Sequence, residues 1–262
     1  MWLPLELLKH SLLRQLTYRA AIFAGLITNF FFGLLRAAIL MALYGGRTEV
    51  AGISMQGAIT YTGLSQAVIG YLSMFSWYMI MNSVYSGEIS TDLLKPIPYF
   101  TYWMCQDLGR ALIDLLLRGV TIILAYALLF HITTPSGWGW VLLIVSLFLA
   151  WLVSFSWRFL VNLVAFWSPN AIGFIRLFFI ISWFFSGFLM PLRFFPDWFV
   201  KICYLTPFPH MVNTVVEVYL GVIQGPELFQ TIMAQAIWAI GLIIVGQLVL
   251  KAGIRRLVIL GG

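Results

Sequence analysis

Charged residues are scarce in this sequence. Lys, Arg, Asp and Glu together make up 9% of its 262 residues, whereas apolar residues make up 62%, above the roughly one half that is usual in soluble domains. Several runs of about 20 residues carry few or no charges, and each is long enough to cross a hydrocarbon core of about 30 Å. The sequence therefore predicts an integral membrane protein that has no separate soluble domain.

Several motifs of enzyme chemistry are also missing. The sequence contains no G-x-x-x-x-G-K-[ST], no G-x-S-x-G and no H-E-x-x-H, so the chain does not bind ATP through a P-loop. The three histidines, His10, His131 and His210, lie on different segments and on both sides of the membrane, so they cannot share a metal. We expect Cys105 and Cys203 to lie on opposite sides, without a disulfide between them. The basic residues are scattered and form no phosphate-binding patch, so we expect no nucleic-acid partner.

An amphipathic helix is predicted over residues 3–19. Leu5, Leu8, Leu12 and Leu16 recur there at helical spacing, and the charged side chains lie mostly on another side. These charges argue against a cleavable signal peptide, and a basic amphipathic segment before a span suits the membrane surface. The alternative, a flanking helix with snorkelling Lys and Arg side chains, differs little from this interpretation.

The predicted fold is all-α, with six transmembrane helices after this interfacial helix. The predicted spans are 21–44, 57–82, 108–131, 139–166, 171–190 and 228–250. Nine basic residues fall on the terminal segments and one set of loops, and three fall on the opposite set. The first set is Lys9, Arg14, Arg19, Lys95, Arg110, Arg176, Lys251, Arg255 and Arg256, and the second is Arg47, Arg193 and Lys201. The positive-inside rule then places both termini in the cytoplasm.

The connection 191–227 is too apolar and too rich in aromatic residues for an open loop. Pro196 and Pro209 are suited to begin one short helix each, and Gly221 is suited to end the second. Neither helix is long enough to cross the bilayer, so we expect two outer re-entrant helices, buried in protein or lining a cavity. The second would carry a polar stripe at i, i+3, i+4 and i+7, formed by His210, Asn213, Thr214 and Glu217.

Four charges of alternating sign lie near one face of the third span. Asp107, Arg110, Asp114 and Arg118 are spaced so that each can pair with the next along a helix. We interpret them as a structural salt-bridge ladder. The alternative is a proton relay or an intramembrane lipid-modifying enzyme that uses this face. Such an enzyme usually carries acids or histidines on several neighbouring spans, which this chain mostly lacks.

Three further charged residues are candidate pathway or gating residues. Arg36 and Arg158 stand nearly alone inside the first and fourth spans, where a charge is costly and usually faces the bundle interior or water. The alternative is an Arg near a helix end that snorkels to the interface, and the sequence leaves both open. Glu217, in the polar stripe, is the third candidate.

A polar insert follows the second span at 87–98, with the sequence GEISTDLLKPIP. Gly87 is a natural end for the span, and Ser90 or Thr91 is suited to cap a new short helix. The residue before Pro96 disfavours helical conformation, so the new helix must stop there. We expect one or two turns that project into the cytoplasm.

This short helix would present an apolar centre, Leu93 and Leu94, inside a charged rim of Glu88, Asp92 and Lys95. Such a surface is suited to docking another protein. The alternative is an ordinary capped loop between two spans.

The order of these features resembles that of the permease subunits of type-2 ATP-binding-cassette transporters, mostly exporters. The resemblance covers nearly the whole chain. It rests on the interfacial helix, six spans with both ends inside, the G-E-x-x-x-x-L-L-K-P-I insert, F-P-D-W at 195–198 and T-P-F-P at 206–209. The local motifs are loose, and the ordered combination is more specific. More narrowly, the chain is similar to a bacterial branch in which two related permeases often accompany one ATPase.

The resemblance implies a coupling helix at 87–96, seated with the N-terminal helix in a groove of a separate ATPase. The coupling residues would be Gly87, Glu88, Asp92, Leu93, Leu94, Lys95 and Pro96. ATP and Mg would bind the partner ATPase dimer, so this chain would be a transport subunit without a catalytic site or cofactor of its own. Closure of that dimer would move the helix bundle as rigid bodies.

The resemblance also implies a second permease chain, with a paralogue favoured over a second copy, in a bacterial plasma (inner) membrane. Export is the favoured direction. The dense aromatic residues, 22 Phe, 11 Trp and 11 Tyr, together with few intramembrane charges, favour an amphipathic or hydrophobic substrate. A structural or assembly protein of the membrane is a further alternative.

Overall fold

The computed structural model describes residues 3–17, 19–75 and 77–256, and the chain is 78% helical. Four helical segments in these ranges are long and apolar enough to cross a membrane: Ile22–Tyr44, Tyr99–Leu129, Gly139–Phe166 and Gly225–Ile254. The prediction of an all-α membrane protein is therefore confirmed at this level. The helix predicted at 171–190 is shorter in the structure, and the span predicted at 57–82 is two helices.

The chain begins with helices α1 (Leu3–Thr17) and α2 (Arg19–Tyr44). A two-residue hairpin, β1 (Glu49–Val50) and β2 (Ile53–Ser54), then leads into α3 (Met55–Leu72). Helix α3 begins at an N-cap, because the Ser54 hydroxyl accepts a hydrogen bond from the Gly57 backbone N–H at 3.0 Å. Fifteen of its 18 residues are buried, so α3 lies at the centre of the bundle.

The segment predicted as one span at 57–82 is two helices. α3 ends at Leu72, and the next helix, α4, spans Met79–Ser86. Ser73 adopts the left-handed conformation, with φ of 49°, and its N–H bonds back to Gly70. A non-glycine residue in this conformation ends the α-helix. We call the residues between α3 and α4 the helix break.

The third span starts earlier than predicted. Helix α6 (Tyr99–Asp114) continues through a π-helical turn, Leu115–Gly119, into α7 (Val120–Leu129). Between α4 and α6 lies the five-residue helix α5 (Ile89–Leu93). The run 99–129 therefore begins directly after the polar insert, so the insert is joined to a helix at each end.

The second half of the chain supplies α8, α9 and α12. α8 (Gly139–Asn162) ends in a 3₁₀ turn at Leu163–Phe166. α9 (Ala171–Phe185) is shorter than the predicted 171–190, and α12 (Gly225–Ile254) is the longest helix described. α12 packs along α8, α1 along α6 and α2 along α3. The main core lies between α3, α6, α8 and the helices of the connection 191–227.

The connection 191–227 contains two short helices, α10 (Asp197–Tyr204) and α11 (Asn213–Leu220), with 3₁₀ turns at Leu192–Phe194 and Phe208–His210. Pro196 precedes α10, as expected, and Gly221 ends α11 with φ of 65°. Pro209 does not begin α11, because it lies in the preceding 3₁₀ turn. Residues 213–219 are all buried, so α11 packs inside the protein.

Candidate functional site

The four charges on α6 and its π-helical turn pair in sequence. Arg110 lies between the two acids, with Nη2 3.1 Å from Asp107 Oδ1 and Nη1 2.7 Å from Asp114 Oδ2. Arg118 Nη1 lies 3.3 Å from Asp114 Oδ1. Both carboxylates are buried. The pairing follows the i+3 and i+4 spacing that the sequence shows.

Arg158 joins this group from α8. Its Nη1 and Nη2 donate to the two oxygens of Asp107 at 3.0 and 2.8 Å, and Trp151 Nε1 donates to Oδ2 at 2.9 Å. Arg158 is 1% exposed. The snorkelling alternative for Arg158 is therefore wrong, because its guanidinium points into the protein and is held by a carboxylate on a neighbouring helix. We call Asp107, Arg110, Asp114, Arg118 and Arg158 the charge cluster.

The charge cluster also holds the end of α3. Arg110 donates to the backbone oxygens of Gly70 and Tyr71 at 2.9 and 3.2 Å, and Ser154 Oγ donates to Leu72 O at 2.9 Å. The last carbonyls of a helix have no partner within it, and a cation is stabilising at that end. Arg110 therefore links the end of α3 to α6.

The far side of the helix break is held by Asn162 of α8. Its Nδ2 donates to Trp77 O at 2.8 Å, and its Oδ1 accepts the backbone N–H of Met81 at 3.2 Å. Trp183 Nε1 on α9 donates to Met74 O. Backbone groups that leave a helix at depth need partners. Side chains of α6, α8 and α9 supply them here, so the break is a defined element.

This arrangement leaves Asp107 little capacity for proton transfer. Its two oxygens accept five hydrogen bonds, from Arg110, Arg158 and Trp151. Within the described residues, no group of three or more His, Cys, Asp or Glu is placed to hold a metal. The alternative of a lipid-modifying enzyme on this face finds no support in the geometry, since a general acid or base must reach the proton that it moves.

The polar insert forms the helix α5, but its cap differs from the prediction. Neither Ser90 nor Thr91 caps α5, because the helix starts at Ile89 with Glu88 at the N-cap position and no side-chain cap bond. The Ser90 hydroxyl donates instead to Gly87 O at 2.8 Å. Gly87 ends α4 with φ of 78°, as expected of a helix terminator.

Asp92 is not part of an exposed rim around the two leucines. It is 9% exposed and accepts hydrogen bonds from Ser83 Oγ at 2.8 Å and Lys95 Nζ at 2.6 Å. Leu93 is partly buried against the core, whereas Leu94 is 86% exposed. The apolar surface that the insert offers is therefore chiefly Leu94, with Glu88 exposed near it.

Lys95 ties the insert to the start of α6. Its Nζ lies 3.8 Å from the centre of the Tyr102 ring, a cation–π contact. Burial alone would lower the pKa of Lys95, but hydrogen bonds with Asp92 and Tyr102 outweigh it and raise the pKa above its usual value. Lys95 therefore stays charged, and Pro96 follows it as the exposed residue that leads out of the insert.

Arg36 makes its contacts with the turn that follows α9, not with the charge cluster. Its Nε donates to Leu189 O at 3.2 Å and its Nη2 donates to Phe188 O, with the guanidinium 4.7 Å from the Phe188 ring. These contacts fasten α2 to the turn after α9. Arg36 is thus held at the backbone of residues 188–189, and within the described residues no contact links it to Arg158.

Glu217 belongs to a second group of polar residues, with Arg193 and Tyr204. Its Oε1 is 2.6 Å from Arg193 Nε, and its Oε2 accepts from the Tyr204 hydroxyl at 3.4 Å. Burial raises the pKa of Glu217, and Arg193 offsets only part of that effect. These residues line a cavity of about 510 Å³, which Glu227 also lines. Glu217 therefore connects α11 to the segment after α9.

Sequence reasoning missed Ser154 and Asn162, which hold the helix break. Ser154, Arg158 and Asn162 lie four residues apart on α8, so they share one face of that helix. A polar stripe at this spacing inside an apolar span indicates the face of the helix that packs against other helices. Trp151 gave no such signal, because an indole in a span is equally suited to a lipid-facing position.

Comparison with known proteins agrees with the geometry. No curated protein matches the chain. The family model described as ABC-2 family transporter protein matches residues 23–261, which is nearly the whole chain. The chain therefore belongs to the ABC-2 family of transporter proteins, and it is a multi-pass transmembrane permease subunit.

Proposed function

We propose that this permease subunit belongs to an exporter whose separate ATPase subunit docks on the segment 87–98. The observation that carries the proposal is the placement of α5. Leu94 is 86% exposed, while Asp92 and Lys95 beside it are bound to the neighbouring helices. An exposed leucine on a fixed support is suited to filling a pocket of a partner protein. Membership of the family implies association with an ATP-binding-cassette ATPase.

The contacts of α5 supply a route by which movement of the ATPase reaches the bundle. Asp92 fastens α5 to Ser83 on α4, and Lys95 fastens it to Tyr102 on α6. From α6, Arg110 reaches the end of α3 and Asp107 reaches Arg158 on α8. A displacement of α5 is therefore passed to four helices, α3, α4, α6 and α8, through charged and hydrogen-bonded contacts. Rigid-body motion of packed helices is the usual form of such transitions.

The assembly we propose has six crossings, with α3 and α4 together forming the second and α9 the fifth. The chain lies in a bacterial inner membrane. Both termini face the cytoplasm, as the positive-inside distribution of charge indicates. A second permease chain, with a paralogue favoured, completes the pathway, and ATP and Mg bind the partner ATPase. The aromatic composition supports an amphipathic or hydrophobic substrate.

Co-purification with the ATPase tests the docking surface. Leu94→Asp places a charge at the centre of the proposed contact, and we expect at least tenfold less ATPase to co-purify with it. Leu205→Asp is the matched control, because Leu205 is a 76% exposed leucine of the connection 191–227. This variant should retain the ATPase. Both variants are compared at equal yield of folded, membrane-inserted chain. Normal ATPase association and export by Leu94→Asp would contradict the proposal.

A further inference from the structure

A cavity of about 310 Å³ lies where α1 meets α6 and the helix break. Ser11 and Arg14 of α1 form one wall, and Trp103 and Arg110 of α6 form another. The Ser11 hydroxyl donates to Gln106 O at 2.6 Å, which fixes α1 against α6. Arg14 lies three residues after Ser11 and therefore shares its face of the helix.

The wall of this cavity has an excess of positive charge. It contains two arginines, Arg14 and Arg110, and one acid, Asp107. Asp107 is already shared between Arg110 and Arg158, so it does not neutralise Arg14. Within the described residues, Arg14 makes no hydrogen bond and no ion pair. A guanidinium without a partner favours an anion at hydrogen-bonding distance.

Three side-chain amides in the wall are also without a partner among the described residues. The side-chain amides of Gln15, Asn82 and Gln106 line the cavity and make no side-chain hydrogen bond within the described part of the chain. An amide NH₂ donates two hydrogen bonds. The one carboxylate in the wall already accepts five, so a cationic ligand would find only neutral amide and hydroxyl oxygens as acceptors there.

Aromatic side chains complete the cavity. Trp77, Tyr78 and Trp103 lie beside the donors, as amphipathic rings do at the level of lipid headgroups. An interfacial helix on one side and a break between two helices on the other give an acyl chain a path to the bilayer. Basic pockets between helices on the cytoplasmic side are suited to anionic lipid headgroups.

We propose that this cavity binds a phosphate group, that of an anionic phospholipid of the cytoplasmic leaflet or of a soluble phosphate. Arg14 supplies the charge, and Asn82 and the two glutamines orient the oxygens. The basic residues are scattered in the sequence, and folding brings Arg14 and Arg110 to one cavity although 96 positions separate them. The side of the membrane rests on the orientation proposed above, whereas binding itself does not depend on the ATPase or on transport.

Titration of the purified full chain in a non-ionic detergent tests this site, with tryptophan fluorescence as the readout because Trp77 and Trp103 line the cavity. The probes are short-chain phosphatidylglycerol, short-chain phosphatidylcholine and inorganic phosphate. We expect saturable binding of phosphatidylglycerol, weakened about tenfold by Arg14→Gln. Lys9→Gln on the same helix is the control, since Lys9 is exposed and does not line the cavity.

The arms of the experiment separate the two sources of the phosphate group. Binding of phosphatidylglycerol without binding of inorganic phosphate assigns the site to a lipid headgroup, and equal binding of both assigns it to a soluble phosphate. Asn82→Ala should weaken the same probe, and it provides a second variant at an exposed position of α4. Equal affinity for phosphatidylglycerol in the wild-type chain, Arg14→Gln and Asn82→Ala would overturn the proposal. Because no ATPase is present, this result is independent of the docking experiment.

Discussion

Asp107 on α6 and Arg158 on α8 form a two-bonded ion pair between residues 51 positions apart, with N–O distances of 3.0 and 2.8 Å. Both side chains are almost fully buried. The pair joins α6, the helix that follows the polar insert, to α8, which forms part of the main core. Burial of such a pair requires further hydrogen bonds to offset the loss of water, and Arg110 and Trp151 supply them.

We predict that removing one member of this pair destabilises the chain more than removing both. Arg158→Met leaves Asp107 with part of its charge uncompensated, which typically costs about 3–5 kcal/mol. The double variant Asp107→Leu and Arg158→Met buries neither charge and should recover most of that loss. Thermal unfolding in detergent measures the difference. If the fall in unfolding temperature of the double variant equals the sum of the falls in Asp107→Leu and Arg158→Met, the predicted coupling is contradicted.

We predict that Asp92→Ala loosens α5 without unfolding the bundle. The variant loses hydrogen bonds with Ser83 and Lys95, worth about 1–2 kcal/mol together. The amides of 89–95 should then exchange hydrogen roughly tenfold faster, since about 1.4 kcal/mol corresponds to a factor of ten. Glu88→Ala is the control, because the exposed Glu88 side chain makes no hydrogen bond or ion pair within the described residues. Equal protection in both variants would mean that Asp92 does not hold α5.

We predict that Gly109→Ala displaces α1 from α6. A Cβ at Gly109 would lie 2.7 Å from Ser11 Cβ and 2.8 Å from Leu8 O, so the helices must move apart. Gly241→Ala in α12 is the control, because nothing lies within 4 Å of the added atom and alanine favours a helix by about 1 kcal/mol. A cross-link between cysteines placed on α1 and α6 reports the distance. Unchanged cross-linking in Gly109→Ala would refute the predicted displacement.

We predict that His210 makes the stability of the chain depend on pH below neutrality. Burial lowers the pKa of His210 to about 4, whereas an unfolded histidine has a pKa of about 6.5. The unfolded state therefore binds the extra proton first, so the contribution is fully present above about pH 6.5 and is lost as the pH falls towards 4. The loss is on the order of 3 kcal/mol.

Thermal unfolding between pH 7 and pH 4.5 measures this dependence. His210→Gln lacks the titrating ring and keeps a side chain able to bond to Thr214, which lies 3.1 Å from His210 Nδ1. We expect the variant to lose this part of the pH dependence. The same fall in unfolding temperature in His210→Gln and in the wild-type chain would exclude His210 as its source.

Much of the architecture follows from composition and period. The apolar runs indicated a multi-pass membrane protein, and the i+3 and i+4 spacing of Asp107, Arg110, Asp114 and Arg118 indicated their pairing along one helix. The GEISTDLLKPIP insert indicated a short helix between two spans. These predictions depend on neighbours in the chain, so local chemistry is enough to make them.

The helix break was not predictable in the same way. The sequence around Ser73 carries no proline, and the break is stabilised by Arg110, Asn162 and Ser154 from distant helices. The burial of Asp92 also depends on Ser83, which lies nine positions earlier on another helix. An exposed and a buried aspartate look the same in sequence when the partner is brought in by folding.

The sequence by itself determined that this chain enters the membrane, because so few charges and such long apolar runs cannot form a soluble domain. It also determined that the short helix of the polar insert ends before Pro96, because proline restricts the residue before it. Only the tertiary structure decided that Arg158 pairs with Asp107 and that Leu94, rather than both leucines, is exposed. Pairing and exposure depend on which helices pack together, and that is a property of the folded bundle.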